Sequence, residues 1–457
     1  MSSLFGLLNL GASALQAQNA GVAVTSNNVA NASTPGYSRQ RLDLESQIGM
    51  PLVGGVRAAG VDRLSDSLLA GRTRANTGSL NVADAFSSAM LDVEAGMIGP
   101  GDDLGTLVAG FFSGMSQVSS SPTDQNLRDG AVQSANELAA GIQRHSAELT
   151  AARGDANQRI REQLKEANRL IGEIAQANRA IVTGDDPVLR DRREQAADKL
   201  AGLVGGTARI DPDGQMRVTL SGGETLVDGA HAAQFVTTPD LTLGNMDRIE
   251  VVDGSHRRDV TSGLDGGRVA GDLRVRDHAL PEALLRLDQL AFDISTSVND
   301  VHRQNAGLDG DTDLNLFTPP HDDIIGSAAV MDVNPDILSD SAHLATAAVG
   351  AGPGDNQGAR ALLALRDQRL ADGGQRTFVD AGIQIVADIG RSAADAAVDR
   401  DFFKAQGDHL AGLRDSVSGV SLEEEMSNLS QFQHAAEAQV KFLSTVDDLL
   451  GTIIQGL

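Results

Sequence analysis

The sequence predicts a mainly α-helical protein with a β insert, an α+β chain that runs out along a helical rod and returns along it. Three observations carry this. Both ends space apolar residues in heptads, and long stretches between them keep the helical period. Around residues 205–262 the pattern changes to alternation broken by Gly and Asp turns.

At the start, Leu4, Leu8, Gly11, Leu15, Gln18, Val22, Thr25 and Val29 are separated alternately by four and three, which predicts a helix with a packing seam. A turn follows. Pro35 fixes φ, Gly36 accepts a positive φ, and Asn27, Asn28 and Asn31 carry side chains that bond backbone groups left free at a helix end. Tyr37 adds a ring with a polar tip. These features define a first segment, residues 1–60.

Residues 61–204 form the outgoing half of the rod. Ser121-Pro122-Thr123-Asp124 opens a helical block over 122–182 whose apolar positions are Leu127, Ala131, Leu138, Ile142, Ile160, Leu164, Ala167, Ile171, Ile174 and Ile181. At 1.5 Å per residue it reaches about 90 Å. Asp186-Pro187 starts another helix through about Leu203. After Gly205-Gly206 come Arg209 and Ile210, the turn Asp211-Pro212-Asp213-Gly214, and alternating Met216, Val218 and Leu220, which predict hairpins over 205–262.

Residues 263–415 make the returning half. Leu284, Leu287, Ala291, Ile294, Val298 and Val301 mark one helix and 356–414 a second stretch, around an irregular Gly-, Asp- and Pro-rich insert at 305–355. The last segment, 416–457, repeats the heptad with Leu422, Met426, Leu429, Gln433, Ala436, Val440, Leu443, Asp447, Leu450, Ile454 and Leu457. Ser421 and Glu424 form a capping box, and Glu423 to Glu425 place acid at the positive end of the helix dipole. Such a chain brings its termini together and leaves the β insert at the far end. With Gln433 and Asp447 in the seam the terminal pair is marginal alone, so both ends are expected to be mobile in the monomer and to order on assembly.

The chain's 457 residues exceed the roughly 250–300 at which single cores stop growing. Hydrophobic residues make up 41% but aromatic ones only 3%, which suits long helices packed through Leu, Ala, Val and Ile better than a ligand pocket. The absence of cysteine excludes disulfides, zinc–thiolate sites, iron–sulfur clusters and thiol catalysis. A formal charge of -25 argues against nucleic acid as a partner. The charge is uneven: residues 1–60 hold three Arg against one Asp and one Glu, residues 420–457 one Lys against six acids, and the middle holds the rest. There it faces water and keeps monomers apart.

No charged side chain precedes Arg39, yet Asn9, Gln16, Gln18, Asn19 and Ser26 interrupt the apolar runs below the ~20 residues a bilayer requires, so no membrane span is expected. No basic residue opens a cleavable signal. There is no Gly-Lys pair for a phosphate loop and no His-Glu-x-x-His. Gly350-Ala351-Gly352-Pro353-Gly354 reads as a linker, and the Asn31-Ala32-Ser33 triplet as accidental. Asp309, Asp311, Asp313 and Asn315 alternate oxygen ligands, but a calcium loop starting at Asp311 needs Gly where Leu316 stands, although Asp322 falls at its twelfth position. A solvated turn is expected there, and no catalytic, cofactor or metal site is assigned.

The string Asn27-Asn28-Val29-Ala30-Asn31-Ala32-Ser33-Thr34-Pro35-Gly36-Tyr37-Ser38-Arg39-Gln40 resembles the N-terminal signature of bacterial flagellar axial proteins, and its last four residues are similar to the hook-associated protein 1 family. The run Ser416 to Glu425, with Leu429, Phe432, Gln433, Ala436 and Ser444-Thr445-Val446-Asp447, resembles that family's closing pattern, and Leu189-Arg190-Asp191-Arg192-Arg193-Glu194 a helix motif of its rod. Gly382 departs from it, standing where relatives often have an aromatic residue.

The resemblance implies terminal helices that line an axial structure, a surrounding rod and an outer β domain. It implies a non-enzymatic adaptor subunit exported through the flagellar type III apparatus and placed extracellularly at the hook–filament junction. Implied partners are further copies in a ring at the hook tip, the hook protein, the second junction protein, an export chaperone on the C-terminal helix and a cap protein. Flagellin-like proteins, the second junction protein, and a secreted adhesin or enzyme on the same scaffold are the alternatives.

Overall fold

The computed structural model describes residues 2–34, 37–47, 55–99, 103–184, 187–320 and 323–455. It is mainly α with a β insert. Helix α1 (Ser2–Ala30) leads into a hairpin of β1 (Gln40–Gln47) and β2 (Gly55–Arg63), paired antiparallel from Gln40↔Arg63 to Gln47↔Gly55 with a bulge at Asp43/Leu44. The sequence pattern carries no sign of this hairpin, because most of β2 is exposed on both faces.

Helix α2 (Ser67–Met97) starts on Asp66, whose carboxylate accepts the Leu68 and Leu69 N–H groups at 2.8 and 3.0 Å. Helix α3 (Leu104–Ser120) turns the chain, and α4 (Gln125–Thr183) brings it back as one helix of 59 residues, about 88 Å long. Its cap is Asp124, three residues after Ser121, and Gly154-Asp155 does not break it. Helix α5 (Pro187–Val204) follows. The insert comprises β3 (Thr207–Ile210), β4 (Met216–Thr219), β5 (Thr225–Asp228) and β6 (His231–Ala232) in one sheet, and β7 (Gln234–Asp240), β8 (Met246–Asp253) and β9 (His256–Asp259) in another.

Helix α6 (Gly267–Arg274) and a π turn at Val275–Ala279 lead into α7 (Leu280–Arg303). Short pieces follow: β10 (Asn305–Ala306), α8 (Ser327–Val330), α9 (Pro335–Ser339), β11 (Ala347–Ala348) and α10 (Gln357–Ala364). The helical stretch expected over 356–414 is thus divided. Helix α11 (Phe378–Ser418) starts afresh on Thr377, whose hydroxyl accepts the Asp380 N–H at 3.2 Å, and α12 (Leu422–Gln455) closes the chain.

Two apolar clusters share α4 as a spine. Around its N-terminal half Leu138, Ile142 and Leu149 meet Phe111 and Phe112 of α3, Leu287 and Ile294 of α7, Phe317, and Phe378 and Ile385 of α11. Four phenylalanine rings gather there: Phe111 and Phe112 lie edge to face at 5.0 Å, Phe112 stacks on Phe378 at 6.4 Å, and Phe111 meets Phe317 at 5.8 Å. Gly382 sits where a Cβ would stand 3.1 Å from the Leu104 backbone, which leaves no room for an aromatic side chain.

Around the C-terminal half of α4, Ile160, Leu164, Ile171 and Ile174 form the stripe on which Met216, Val218, Leu226, Phe235 and Ile249 of the β insert pack. The insert therefore flanks the half of the rod nearer α5, rather than its far end. The small sheets have one apolar face each and bury it on the nearest unpaired apolar stripe. Buried polar groups fix the register: Asn178 spans the Met216 N–H and C=O at 2.9 and 2.8 Å, and Asp247 lies between Asn157 and Arg161.

The irregular 305–355 segment is docked rather than loose. Fully buried Arg128 of α4 donates to the carbonyls of Pro122, Ser341, Ala342 and Leu344 and to the Thr346 hydroxyl. On α7, His302 bonds the Leu314 carbonyl through Nδ1 at 2.7 Å and accepts the Ala345 N–H at Nε2 at 2.9 Å. Nε2 must stay unprotonated to accept, and burial, joined by the Arg128 charge, pushes the imidazole down to about 4. The unfolded chain binds this proton near pH 6.5 and the folded chain does not, so the contribution is full above about 6.5 and shrinks as pH falls toward 4. Denaturant unfolding should show stability declining by about 3 kcal/mol across that interval, with the decline reduced in His302→Gln.

Candidate functional site

The two ends of the chain meet. Helices α1 and α12 pair antiparallel: a Cβ on Gly11 would stand 2.6 Å from Leu443, one on Gly21 would stand 2.6 Å from the Phe432 ring, and Asn28 bonds Glu425. The buried stripe of α1 is Gly11, Ala17, Gly21, Thr25 and Asn28, and on α12 it runs through Glu425, Val446 and Leu450, flanked by half-buried Leu429, Phe432, Ala436 and Leu443.

This face shares Gly11, Thr25, Leu429, Ala436, Leu443 and Leu450 with the heptad seam but is rotated from the rest of it. Leu4, Leu8, Leu15, Val22 and Val29 are half-buried flanks, while Leu422, Met426 and Val440 remain 54, 55 and 52% exposed. Small residues on α1 let the helices approach until Phe432 and Leu443 fill the gaps, which the larger leucines would prevent. The Ile454 side chain and Leu457 lie outside the described residues, as do Pro35 and Gly36.

Beyond the pair, the signature folds into a polar latch. Asn28, 1% exposed, uses its full bonding capacity: Nδ2 donates to the Gln40 carbonyl at 2.8 Å and to Glu425 Oε2 at 2.9 Å, and Oδ1 accepts from the Tyr37 hydroxyl at 2.8 Å and the Gln40 N–H at 2.9 Å. Burial, followed by the charges of Asp191 and Glu425, pushes the Tyr37 phenol up to about 12, which keeps it a donor. Arg39 reaches Glu425 Oε1 at 2.7 Å and Glu424 Oε2 at 2.9 Å, compensating a Glu425 side chain only 2% exposed. Its backbone N–H donates to the Ser418 carbonyl at 3.0 Å and its carbonyl accepts the Leu64 N–H at 2.9 Å, so it touches both points where the chain crosses to the rod.

The other signature residues are local. Asn31 Nδ2 donates to the Asn27 carbonyl and side chain, both at 2.9 Å, Thr34 donates to Asn31 at 3.2 Å, and Ala30 is exposed. Asn27 reaches the buried Gln40 side chain at 3.4 Å, and Ser38 is buried. Ser421 caps α12 as expected from its capping box, through Glu424 N–H at 3.4 Å, but the Glu424 carboxylate goes to Arg39.

Below the latch lies a second polar layer, built on the Leu189 to Glu194 motif of α5. Asp191 pairs with Arg63 at the base of β2 at 2.8 Å, and burial pushes its carboxyl up, against the pull of Arg63. Arg74 of α2 bonds Glu194 and lies 2.7 Å from Asp198. Arg193 turns the opposite way, donating to Asn178 at 2.9 Å and to the Gly214 carbonyl of the β insert at 2.8 Å. Residue type alone gave no signal that one motif serves two sides.

Of the candidate cation ligands, Asp309 and Asp311 converge with His343, which pairs with Asp309. Asp313 stays outside that group, and the Asn315 carbonyl accepts from Asn334 at 3.0 Å. Asp309 also accepts the Asp311 N–H at 3.0 Å, the bond of a turn. Asp322 lies outside the described residues.

Replacing Asn28 by Ala strands Tyr37, the Gln40 N–H and Glu425 together. Amide exchange should show residues 24–33 and 423–432 losing about 2 to 4 kcal/mol of protection. Asn31→Ala, whose bonds are exposed, should stay within about 0.5 kcal/mol of the parent.

Three family models match the chain: the flagellar hook-associated protein FlgK helical domain over residues 90–317, the flagellar basal body rod FlgEFG protein C-terminal over 415–456, and the flagella basal body rod protein over 8–37. Flagellar hook-associated protein 1 of Bacillus subtilis is 26% identical over 100% of this chain and 99% of that protein. The Escherichia coli protein of the same name is 23% identical over 98% of this chain and 99% of its own. The structure of the flagellar hook junction protein FlgK from Burkholderia pseudomallei shares the fold, with a TM-score of 0.70 at 14% identity, covering 76% of this chain and 100% of that one. The outer two family matches hold Asn28 and Tyr37 on one side of the latch and Glu424 and Glu425 on the other, with Arg39 and Gln40 just past the first, the central one covers much of the rod between them, and the chain belongs to the flagellar hook-associated protein 1 family.

Proposed function

We propose that this protein is a structural, non-enzymatic adaptor subunit that joins the flagellar hook to the filament, leaves the cell through the flagellar type III apparatus, and polymerises outside it at the distal hook end. The carrying observation is the latch. Asn28 and Arg39, from the N-terminal signature, close on Glu425 of the C-terminal pattern and make one paired body from both chain ends. Such a body is a natural assembly unit, because neither helix completes its burial alone.

Its outer surface supports the reading. Leu422, Met426, Val440, Leu449 and Ile453 stay 40 to 55% exposed on α12, an apolar surface that neighbouring subunits would cover. The partners proposed are further copies of this chain in a ring, the hook protein, the second junction protein, an export chaperone on α12 before assembly, and a cap protein. The segments 1–60 and 416–457 would line the axis, with 61–204 and 263–415 as the rod and 205–262 turned outward. No helix of the described residues is long and apolar enough to cross a membrane.

Cells whose only copy lacks residues 2–40 should build hooks, carry no attached filaments and fail to swim, scored by electron microscopy and motility in soft agar. Swimming cells with normal filaments would refute the adaptor role.

A further inference from the structure

The connection between the terminal body and the rod differs in kind from every other junction in the molecule. Among the described residues, α1 packs broadly on α12 and on the β1–β2 hairpin, and none of these four elements packs more than marginally on an element of the rod. Neither apolar cluster of the rod contains a residue from them. Among the described residues, what crosses includes two short chain connections, at residues 64–66 and 419–421, the Arg39 backbone bonds to Leu64 and Ser418, and the ion pairs of Arg63 with Asp191 at 2.8 Å and Glu194 at 3.9 Å.

Clefts flank that pair on both sides. One, of about 520 Å³, lies among Asn27, Gln40, Val61 and Pro187. The other, of about 50 Å³, lies among Ser38, Leu69, Thr73 and Val417. The arginine and the carboxylate are 13 and 11% exposed, so the bridge is shielded from water and from salt. Glu194 adds a longer contact to Arg63 at 3.9 Å, and Arg74 and Asp198 continue the charged layer into the rod.

We infer that this junction is a swivel: the hairpin and the terminal helix pair move as one rigid body against the rod, and the Arg63–Asp191 bridge fixes their angle. Interfaces that are small and polar leave relative motion of two bodies as the default, and here the ion pairs of buried Arg63, closest with Asp191, stand in place of the apolar packing that would otherwise lock them. The latch holds the terminal body together, so the hairpin travels with α1 rather than with α2. This goes beyond the adaptor reading and does not depend on it.

The absence of cysteine allows clean spin labelling of the full chain. Cysteines at exposed Ser430 and Lys199 report across the junction, and cysteines at exposed Asn19 and Ser430 report within the terminal body. Pulsed dipolar spectroscopy should show the cross-junction distance distribution widening about twofold in Arg63→Ala and in Asp191→Asn, which cut the bridge from opposite bodies, while the internal distribution keeps its width. A cross-junction distribution that does not widen in either variant overturns the swivel. So does equal widening of both distributions, or unfolding of both variants.

Discussion

Asn28 and Glu425 stand 397 residues apart in the chain and 2.9 Å apart in the fold, and most of the architecture follows from keeping that contact buried. A chain whose ends must meet has to return from wherever it goes. The rod accordingly leaves along α2, comes back along α4, departs again through α5 and α7, and returns along α11, which lies against α2 with Ser87 donating to the Ala393 carbonyl at 3.2 Å. Burying Glu425 requires a cation, and Arg39 supplies it. Holding Arg39 in place requires the helix stop at Asn31 and the start of β1, and closing α1 on α12 requires the glycines that admit Phe432 and Leu443.

Polar groups organise the interior elsewhere by the same logic. Arg128 and His302 hold an irregular segment by its carbonyls and N–H groups, and Asn178, Asn157 and Asp247 hold the β insert. Few aromatic residues are available, so large rings concentrate where α3, α7 and α11 converge, and fixed hydrogen bonds set register in the remaining junctions. The long α4 helix links both regions and gives each an apolar stripe.

The element types were legible because caps and periods carry strong local signals: Asp124 before α4, Pro187 at the start of α5, the Asp211 to Gly214 turn, and Ser421 before α12. The pairing face was not. Gly11 and Thr25 fall in the heptad seam, but Ala17 and Gly21 pack by being small, which leaves no hydrophobic pattern, and the seam also includes Leu422, Met426 and Val440, which stay exposed. Glu425 looked like an acid suited to a helix dipole, whereas its carboxylate is buried against Arg39 and Asn28. The hairpin carried no signal because its strands are mostly exposed. The β insert was misplaced along the rod because alternation reveals a strand's buried face but not which stripe of α4 receives it.

The coupling between the two chain ends holds the terminal body together. A double-mutant cycle with Arg39→Ala, Glu425→Gln and the double variant, read by amide exchange at residues 24–33 and 423–432, tests it most directly. Removing the arginine alone strands a buried carboxylate and should cost about 3 to 5 kcal/mol locally. The double variant should recover much of this, giving a coupling energy of at least about 1.5 kcal/mol. Strictly additive losses would mean that the two residues do not sense each other, and would contradict the latch.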